Sequence, residues 1–304
     1  MQLWVCAEAV PGAYQLWAVL DRPHQVFIQS KQHFVFRNIV FEKIFILLFI
    51  YLCNFLFRIS NCQDQTILVK TDYSALQKEI PERISSTVNP PLCPEISPYL
   101  NAPEDDMAIF EDGVHRPVGC TARQRTAVIV PYRNRPDHLN LLLAHLNPIL
   151  QRQQLEYQIF IVNQEGNTTF SRARLMNAGV KYLESRDYKW DCYIFHDVDL
   201  LIESAAGLYK CQKAYPRHLS ASIDKYHYTV PWMGITGGAM AFTPEQYRTV
   251  NGFSNEYWGW GCEDDDMFVR VVHSCFHLEQ ADSQYYKYKM IIRRAQITTP
   301  CPRF

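Results

Sequence analysis

Several features that place other chains in common protein classes are missing from this sequence. Its formal net charge is −1, so it has no excess of basic residues of the kind that binds nucleic acid. No internal repeat is visible. None of the ten cysteines belongs to a Cys-x-x-Cys pair. This argues against zinc binding, and so high a count favours disulfides in an oxidising compartment.

A long, fully apolar segment is missing as well, although a shorter one is present. The mainly apolar run at 44–57 falls short of the ~20 residues that a membrane-spanning helix needs. If flanking charged side chains extend toward the membrane surface, residues 39–59 approach a full span. The run starts too far from the N-terminus for a cleaved signal peptide. We therefore predict a signal anchor at 44–59 behind a cytoplasmic tail at 1–43, with a buried core helix as the alternative to the anchor.

The chain after the apolar run divides into two parts. Residues 60–92 are rich in proline, serine, asparagine and charged side chains, which is typical of a linker, and we interpret them as a stem. With 48% apolar residues in 304 positions, the chain can bury one substantial core. We therefore expect one folded domain at 93–304, on the lumenal side of the membrane.

Strand-like runs and helical spacing alternate in the first half of this domain. Short β-branched runs predict buried strands, and leucines at helical spacing predict helices between them. The expected elements are strands at 127–132, 157–162 and 190–195 and helices at 136–153 and 171–184. Ser171 is a candidate N-cap for the second helix. This alternation is typical of an α/β fold with a mostly parallel sheet, in which ligands bind at the carboxyl ends of the strands.

Two carboxylates follow the third of these strands. Asp197 and Asp199 are separated by one residue and come directly after a buried run. Such a pair can bind a divalent ion that neutralises a diphosphate leaving group. Because Asp-x-Asp also occurs by chance, its position at the end of a strand is what favours a metal and nucleotide site.

The stretch Trp258–Asp266 is the one that the rest of the domain is expected to serve. It reads Trp-Gly-Trp-Gly-Cys-Glu-Asp-Asp-Asp. Glycines let the backbone approach a ligand closely, and indole rings offer flat apolar faces that stack on sugar rings. A carboxylate crowded by others beside such rings can have its pKa raised toward that of a general base. A solvated acidic turn is the alternative interpretation of the four carboxylates.

This stretch resembles the WGWGGEDDD signature of the β-1,4-galactosyltransferase family, which are inverting glycosyltransferases of the secretory pathway. The departure is Cys262, where the family has glycine. The chain resembles other motifs of the family, in the same order, at residues 93–98, 131–135, 170–173, 224–225, 230–238 and 286–293. The resemblance covers residues 93–304. It implies a Rossmann-like GT-A nucleotide-sugar glycosyltransferase domain, mostly parallel in its sheet, behind the signal anchor and stem.

The resemblance also implies a role for each matching residue. Asp264 would be the catalytic base, with Glu263 and Asp265 orienting the acceptor. The donor and its nucleotide would contact Pro131, Tyr132, Arg133, Arg135, Phe170, Arg172, Asp197, Val198, Lys225, Ile235, Gly238 and Trp260. The acceptor would contact Trp232, Trp260, Glu263, Asp264, Asp265, Arg303 and Phe304. Disulfides would join Cys93 to Cys120 and Cys192 to Cys211.

Two substitutions set the chain apart from the family pattern. The resemblance implies an Mn²⁺ cofactor held by Asp199 and Met290, but the position of the family's histidine ligand holds Arg293, a cation that cannot ligate a metal. Ile235 falls where vertebrate members carry tyrosine, and a smaller aliphatic side chain leaves room for a 2-acetamido group on the donor sugar. In this respect the chain resembles the invertebrate β-1,4-N-acetylgalactosaminyltransferases.

The expected reaction is Mn²⁺-dependent transfer of GalNAc, or Gal, from a UDP-sugar in β1,4 linkage to a terminal GlcNAc of a glycoprotein or glycolipid. One alternative is a β-1,4-galactosyltransferase that uses UDP-Gal. Another, from a different class, is a catalytically silent relative that binds sugar or nucleotide. Arg293 and the early end of the chain relative to the family favour the silent relative, whereas intact Asp199 and Asp264 argue against it.

The expected location follows from the anchor, the cysteines and the resemblance. We expect a single-pass type II protein of the Golgi membrane with its catalytic domain in the lumen and no nucleic acid partner. The sequon that begins at Asn167 should then be glycosylated.

Overall fold

The computed structural model describes the backbone of residues 5–10 and 13–18, and residues 90–101, 113–232 and 234–291. The strands are β1 (Val5–Val10), β2 (Ala13–Ala18), β3 (Arg125–Tyr132), β4 (Glu156–Gln164), β5 (Cys192–His196), β6 (Leu200–Ile202), β7 (Arg217–His218), β8 (Ser222–Ile223), β9 (Ala239–Phe242), β10 (Glu279–Gln280) and β11 (Lys287–Met290). The helices are α1 (Pro136–Arg152), α2 (Arg172–Glu184), α3 (Pro244–Thr249), α4 (Glu263–His273) and a short 3₁₀ turn at Asp224–Tyr226.

These elements form an α/β fold around one large, mixed sheet. Its strand order is β1-β2-β4-β3-β5-β9-β7-β10, and β3 pairs in parallel with both β4 and β5. β9 lies antiparallel between β5 and β7, and a second sheet has the order β6-β11-β8. The chain leaves β3 through α1 to β4 on one side, then returns through α2 to β5 on the other. This reversal creates a crevice at the carboxyl ends of the strands, where α/β proteins bind ligands.

All five elements predicted from the sequence are present, with ends that differ by a few residues at most. Pro136 opens α1 at a position where its missing N–H costs nothing. Ser171 occupies the predicted N-cap position of α2, but its side chain makes no capping hydrogen bond. Its hydroxyl donates instead to the Tyr257 carbonyl at 2.8 Å. That bond ties the start of α2 to the segment that leads into the stretch Trp258–Asp266, which is called the Trp258 motif below.

The core lies on both faces of the sheet, because successive residues of each central strand point to opposite sides. Val128 and Val130 of β3 pack in one apolar cluster with Leu142 of α1. Ile129 of the same strand packs in the other cluster with Leu175 of α2. Burying each of these side chains contributes about 1.5–3 kcal/mol relative to exposure. The strand ends that carry polar residues are therefore fixed from both sides.

Both predicted disulfides are confirmed. Cys93 is bonded to Cys120, and Cys192, at the start of β5, is bonded to Cys211. Next to the first bridge, the Cys93 N–H donates to the Thr121 carbonyl at 2.8 Å. The first bridge thus joins the segment at residue 93 to the approach to β3, and the second braces the segment that follows Asp199.

Two strands from the N-terminal region extend the sheet at its β4 edge. β1 and β2 form an antiparallel hairpin, and β2 runs parallel to β4. The sequence pattern predicted no strand in residues 5–18, so this hairpin is a finding of the structure.

The predicted anchor at 44–59 lies outside the described residues, as does nearly all of the predicted stem at 60–92. Within the part of the chain that the structure describes, no helix combines the length and the apolar character needed to cross a bilayer. The anchor and the stem stay predictions.

Candidate active site

A cavity of about 430 Å³ opens at the carboxyl ends of β3, β4 and β5, where the strand order reverses. Segments from five parts of the chain line it: the ends of β3 and β5, the loop before α2, the start of α2 and the Trp258 motif. The lining residues are Pro131, Arg133, Arg135, Asn167, Thr168, Thr169, Phe170, Arg172, Asp197, Val198, Asp199, Gly259, Trp260, Glu263 and Asp264.

Two arginines after β3 give one wall of the cavity its positive charge. Arg133 donates from Nη1 to the Thr168 carbonyl at 2.5 Å, and its guanidinium carbon lies 5.3 Å from the centre of the Phe170 ring. Burial and the nearby charge of Arg135 lower the pKa of Arg133. Arg135 donates from Nη1 to Asp199 at 3.1 Å. An anion such as a diphosphate would relieve the repulsion between the two guanidinium groups.

Arg172, at the start of α2, connects the loop after β5 to the Trp258 motif. Its Nε donates to Asp197 at 2.5 Å and its Nη1 donates to Asp264 at 2.6 Å. Nη1 also lies 3.7 Å from Glu263, and Nη2 donates to the Gly238 carbonyl at 3.4 Å. The Arg172 side chain is 11% exposed. One nearly buried cation is therefore shared by three carboxylates.

This arrangement shifts the pKa values of Arg172, Glu263 and Asp264. Burial lowers the pKa of Arg172, but the charges of Asp197, Asp264 and Glu263 outweigh burial and hold it above its usual range. Burial and the charge of Asp264 raise the pKa of Glu263 to about 7, against the opposing effect of Arg172. Burial also raises the pKa of Asp264, which Arg172 again opposes. The Glu263 carboxyl can thus exchange protons near pH 7, and the pKa of Asp264 is shifted in the direction that favours general-base catalysis.

The four acidic residues of the Trp258 motif form the first turn of α4, which rules out the alternative of a solvated turn. Negative charge is favourable at a helix N-terminus because the backbone N–H groups there are unpaired. Asp266 is not part of the cavity lining. Its carboxylate accepts a hydrogen bond from Arg270, one turn later, at 2.5 Å. Asp265 is exposed. Glu263 and Asp264 are the two that turn into the cavity.

Cys262 precedes this helix with φ of 75°, in the left-handed region that favours glycine. This conformation explains why a glycine is expected there, and a side chain at such a position costs about 1–2 kcal/mol. Cys262 is disulfide-bonded in this structure.

Thr236 and Gly237, just before β9, lie against Asp264. The sequence pattern predicted no role for this segment in positioning Asp264. Thr236 donates from its hydroxyl to the Asp264 carbonyl at 2.5 Å. A Cβ on Gly237 would lie 2.6 Å from Asp264 Oδ2, so any side chain there would displace the carboxylate. The Gly238 carbonyl accepts from the Asp197 N–H at 3.1 Å. The adjacent glycines were the available signal, because they mark a close backbone approach.

The backbone segments that carry Asp199 and Met290 are adjacent. β11 pairs antiparallel with β6, and the Ile291 N–H donates to the Asp199 carbonyl at 2.8 Å. The Asp199 side chain is fully buried. Among the described residues no group of three or more His, Cys, Asp or Glu side chains could hold a metal alone. A carboxylate oxygen is the kind of ligand that a hard divalent ion takes, so an ion held by Asp199 and Met290 would need further ligands, such as the oxygens of a bound diphosphate.

Other residues predicted for the site are not among those that line the cavity. Tyr132 is buried and its hydroxyl accepts from the Arg135 N–H at 3.0 Å. Lys225 is exposed above the Tyr226 ring. Trp232 is 50% exposed, as expected for a surface that meets a second ligand. Arg293, Arg303 and Phe304 lie outside the residues that the structure describes.

Comparison with known protein families and sequences identifies relatives of this chain. Residues 93–212 match the N-terminal region of glycosyl transferase group 7, and residues 217–294 match the N-terminal domain of galactosyltransferase. The chain is 45% identical over 219 residues to mouse β-1,4-galactosyltransferase 3, covering 67% of this chain and 55% of that protein. It is 42% identical over 214 residues to human β-1,4-galactosyltransferase 4, covering 66% and 61%.

The chain belongs to the β-1,4-galactosyltransferase family. It spans little more than half the length of the relatives it matches. Its fold resembles the catalytic domain of Drosophila β1,4-galactosyltransferase 7 in complex with xylobiose, with a TM-score of 0.52 and 30% identity over 59% of this chain and 76% of that one. A mutant of the same fly enzyme in complex with manganese, UDP-Gal and xylobiose matches with a TM-score of 0.51.

The raised pKa of Glu263 predicts a pH-dependent stability difference. Its Oε2 is buried without a hydrogen-bond partner among the described residues. In the unfolded chain the carboxyl ionises from about pH 4.5, whereas in the folded protein it ionises near pH 7. Ionised Glu263 therefore destabilises the fold above pH 7, and this cost disappears as pH falls to about 4.5.

We expect Glu263→Gln to be more stable than the wild type at pH 8 by on the order of 2 kcal/mol, and the two to converge near pH 4.5. Denaturant unfolding with EDTA present, at several pH values, measures the difference. Asp265→Asn, at an exposed carboxylate on the same helix turn, is the control and should show no such trend. A constant difference for Glu263→Gln across this range would contradict the assignment.

Proposed function

We propose that the chain is an inverting glycosyltransferase that moves a hexose from a UDP-sugar in β1,4 linkage to a terminal GlcNAc of a glycoprotein or glycolipid. The observation that carries the proposal is the shared contact of Arg172 with Asp197 and Asp264. It joins the segment that would hold the nucleotide to the carboxylate that would activate the acceptor. Family membership and the UDP-Gal complex of the fly enzyme support it.

On the donor side, Arg133 and Arg135 line the cavity and would pair with the diphosphate. Phe170 would pack against the nucleobase of the donor, because its ring lies under the Arg133 guanidinium at the same wall of the cavity. Asp199 and Met290 would hold Mn²⁺, which when bound would neutralise charge on the leaving UDP. The fly complex with manganese and UDP-Gal supports that cofactor.

On the acceptor side, Asp264 would take the proton from the acceptor hydroxyl. Its pKa is raised by burial, while Arg172 keeps the ionised form accessible. Trp260 is 49% exposed beside this carboxylate, and its face would cover the sugars. The hydroxyl oxygen then attacks the anomeric carbon from the side opposite the departing UDP, which inverts the configuration in a single displacement.

The donor sugar that we propose is GalNAc, on the basis of Ile235. This residue is 5% exposed and lies two positions before Gly237, whose backbone abuts Asp264. An aliphatic side chain leaves more space near the donor sugar than a tyrosine would. UDP-Gal is the second candidate, favoured by the galactosyltransferase names of the relatives and by the UDP-Gal in the fly complex.

For location, we propose the lumen of the Golgi apparatus. Disulfides within the domain, among them Cys93–Cys120 and Cys192–Cys211, fit an oxidising compartment. The membrane anchor at 44–59 and the type II orientation belong to this proposal.

Replacing the proposed base should separate catalysis from nucleotide binding. We expect Asp264→Asn to lower kcat by about 10²–10⁴-fold, because an asparagine amide cannot take the proton from the hydroxyl of the sugar acceptor. The affinity for UDP should change little, since Arg172 keeps its pair with Asp197. Transfer rates and UDP calorimetry on the full chain measure both quantities.

Asp187→Asn, at an exposed carboxylate just after α2 and outside the site, serves as the control for this substitution and should leave kcat near the wild-type value. Equal loss of turnover and UDP affinity in Asp264→Asn would point to a structural role for this residue. Mn²⁺-dependent UDP binding without transfer in the wild type would instead indicate the catalytically silent relative.

The choice of donor is tested at Ile235. We expect the wild type to use UDP-GalNAc better than UDP-Gal, by a kcat/KM ratio on the order of ten to a hundred, since differences within one pocket are worth ~1–3 kcal/mol. Ile235→Tyr should invert the preference, and Ile235→Leu, which stays aliphatic, should preserve it. A wild-type preference for UDP-Gal, or a ratio that tyrosine leaves unmoved, would favour the galactosyltransferase.

A further inference from the structure

The sequon Asn167-Thr168-Thr169 lies at the entrance of the cavity just described. All three of its residues are among those that line this cavity, beside Phe170 and Arg133. No other asparagine in the whole sequence is followed two positions later by serine or threonine. We propose that Asn167 carries an N-linked glycan and that this glycan narrows the entrance to the nucleotide pocket. The effect on nucleotide entry rests on the proposed function; the modification itself does not.

The sequon is open to a modifying enzyme. It lies in the bend between β4 and α2, and both Asn167 and Thr169 are exposed. The preceding Gly166 has φ of 81°, and a Cβ built there would meet nothing within 4 Å. The tip of the loop therefore projects into open space, where a bulky group on Asn167 meets no packed side chain. Surface loops of this kind are where N-linked glycans are carried.

The base of the same loop is fixed to the wall of the cavity. Gln164, the last residue of β4, donates from Nε2 to the Thr168 hydroxyl at 3.0 Å and to the Thr169 carbonyl at 3.0 Å. Arg133 donates to the Thr168 carbonyl. Because Asn167 is adjacent to a residue held at two points, the first sugar of a glycan would stay beside Arg133 and Phe170. The hydrogen bonds to Thr168 and Thr169 oppose movement of this loop away from the entrance.

The modification requires a lipid-linked diphospho-oligosaccharide as the co-substrate. The Asn167 amide nitrogen forms a bond to C1 of the first sugar and loses one proton. The bond between C1 and the diphosphate breaks, and the diphospho-lipid leaves with the electron pair. No change of oxidation state occurs.

The glycan would act on nucleotide entry and not on the chemical step. Asp264 and Glu263 belong to α4 and the Trp258 motif, another part of the cavity lining. A glycan on Asn167, beside Arg133, reduces the angles from which UDP can approach that arginine. We therefore expect slower association of UDP and a higher donor KM, with kcat unchanged.

The decisive comparison uses the full chain produced in cells that attach high-mannose glycans. Thr169→Ser preserves the sequon, whereas Thr169→Ala removes it and leaves Asn167 in place. Endoglycosidase H trims the wild-type glycan to a single GlcNAc. Mass spectrometry of the peptide that contains Asn167 measures occupancy, and stopped-flow fluorescence measures the association rate of UDP.

We expect the wild type and Thr169→Ser to carry the glycan and to bind UDP several-fold more slowly than Thr169→Ala. Trimming should speed UDP association in the wild type and in Thr169→Ser and should have no effect on Thr169→Ala. A peptide of unmodified mass would overturn the modification. A glycosylated peptide whose trimming leaves UDP association unchanged would overturn the effect on entry.

Failure of the proposed function gives a different result from either of these. In that case no form of the protein binds UDP, including the unglycosylated Thr169→Ala, whose melting temperature shows that it is folded. The peptide mass would still decide whether Asn167 is modified, and the effect on nucleotide entry would fall together with the proposed function.

Discussion

The charge of Arg172 holds the candidate active site together. Three carboxylates, Asp197, Glu263 and Asp264, come from two separate segments and meet around this one guanidinium group, which is 11% exposed. Without a cation between them, their mutual repulsion in a poorly solvated site would force protonation or separation. The planar, permanently charged fork of arginine can serve two carboxylates at once, which a lysine cannot do with the same geometry. The position of Asp264 therefore depends on α2 as much as on its own helix.

The fold supplies this arginine at the right place because of the strand order. The sheet reverses at β3, so α2 begins at the crevice between the ends of β3 and β5. Ser171 ties the start of that helix to the segment before Trp258 through its hydroxyl. On the remaining side, the backbone at Gly237 approaches Asp264 so closely that only a hydrogen atom fits. Charge, topology and this contact each restrict the same carboxylate.

Much of the fold and part of the site could be predicted from the sequence. Buried strands such as β3 announce themselves by β-branched runs, and α1 by its leucine spacing, because those patterns follow from which faces are buried. The carboxylates at Asp197 and Asp264 stand out by their residue types. Both disulfides followed from the family resemblance. These features are local, or are carried by motifs that keep their order along the chain.

Features that depend on distant contacts could not be predicted in the same way. The bridge from Arg172 to Asp264 joins residues 92 positions apart, and nothing in either segment specifies the partner. The hydroxyl of Ser171 has a typical capping position but finds a carbonyl of another segment. The pairing of β2 with β4 was not predicted, since the partner of a strand depends on the whole sheet. Such contacts are properties of the assembled fold.

The most direct test of this account is the behaviour of Arg172→Gln, measured as UDP affinity and turnover on the same folded protein. If Arg172 joins the nucleotide-binding segment to the base, both quantities should fall, each by about tenfold or more. Arg186→Gln, at an exposed arginine just after α2, should leave both near the wild-type values. UDP affinity and turnover that survive the loss of Arg172 would contradict the account.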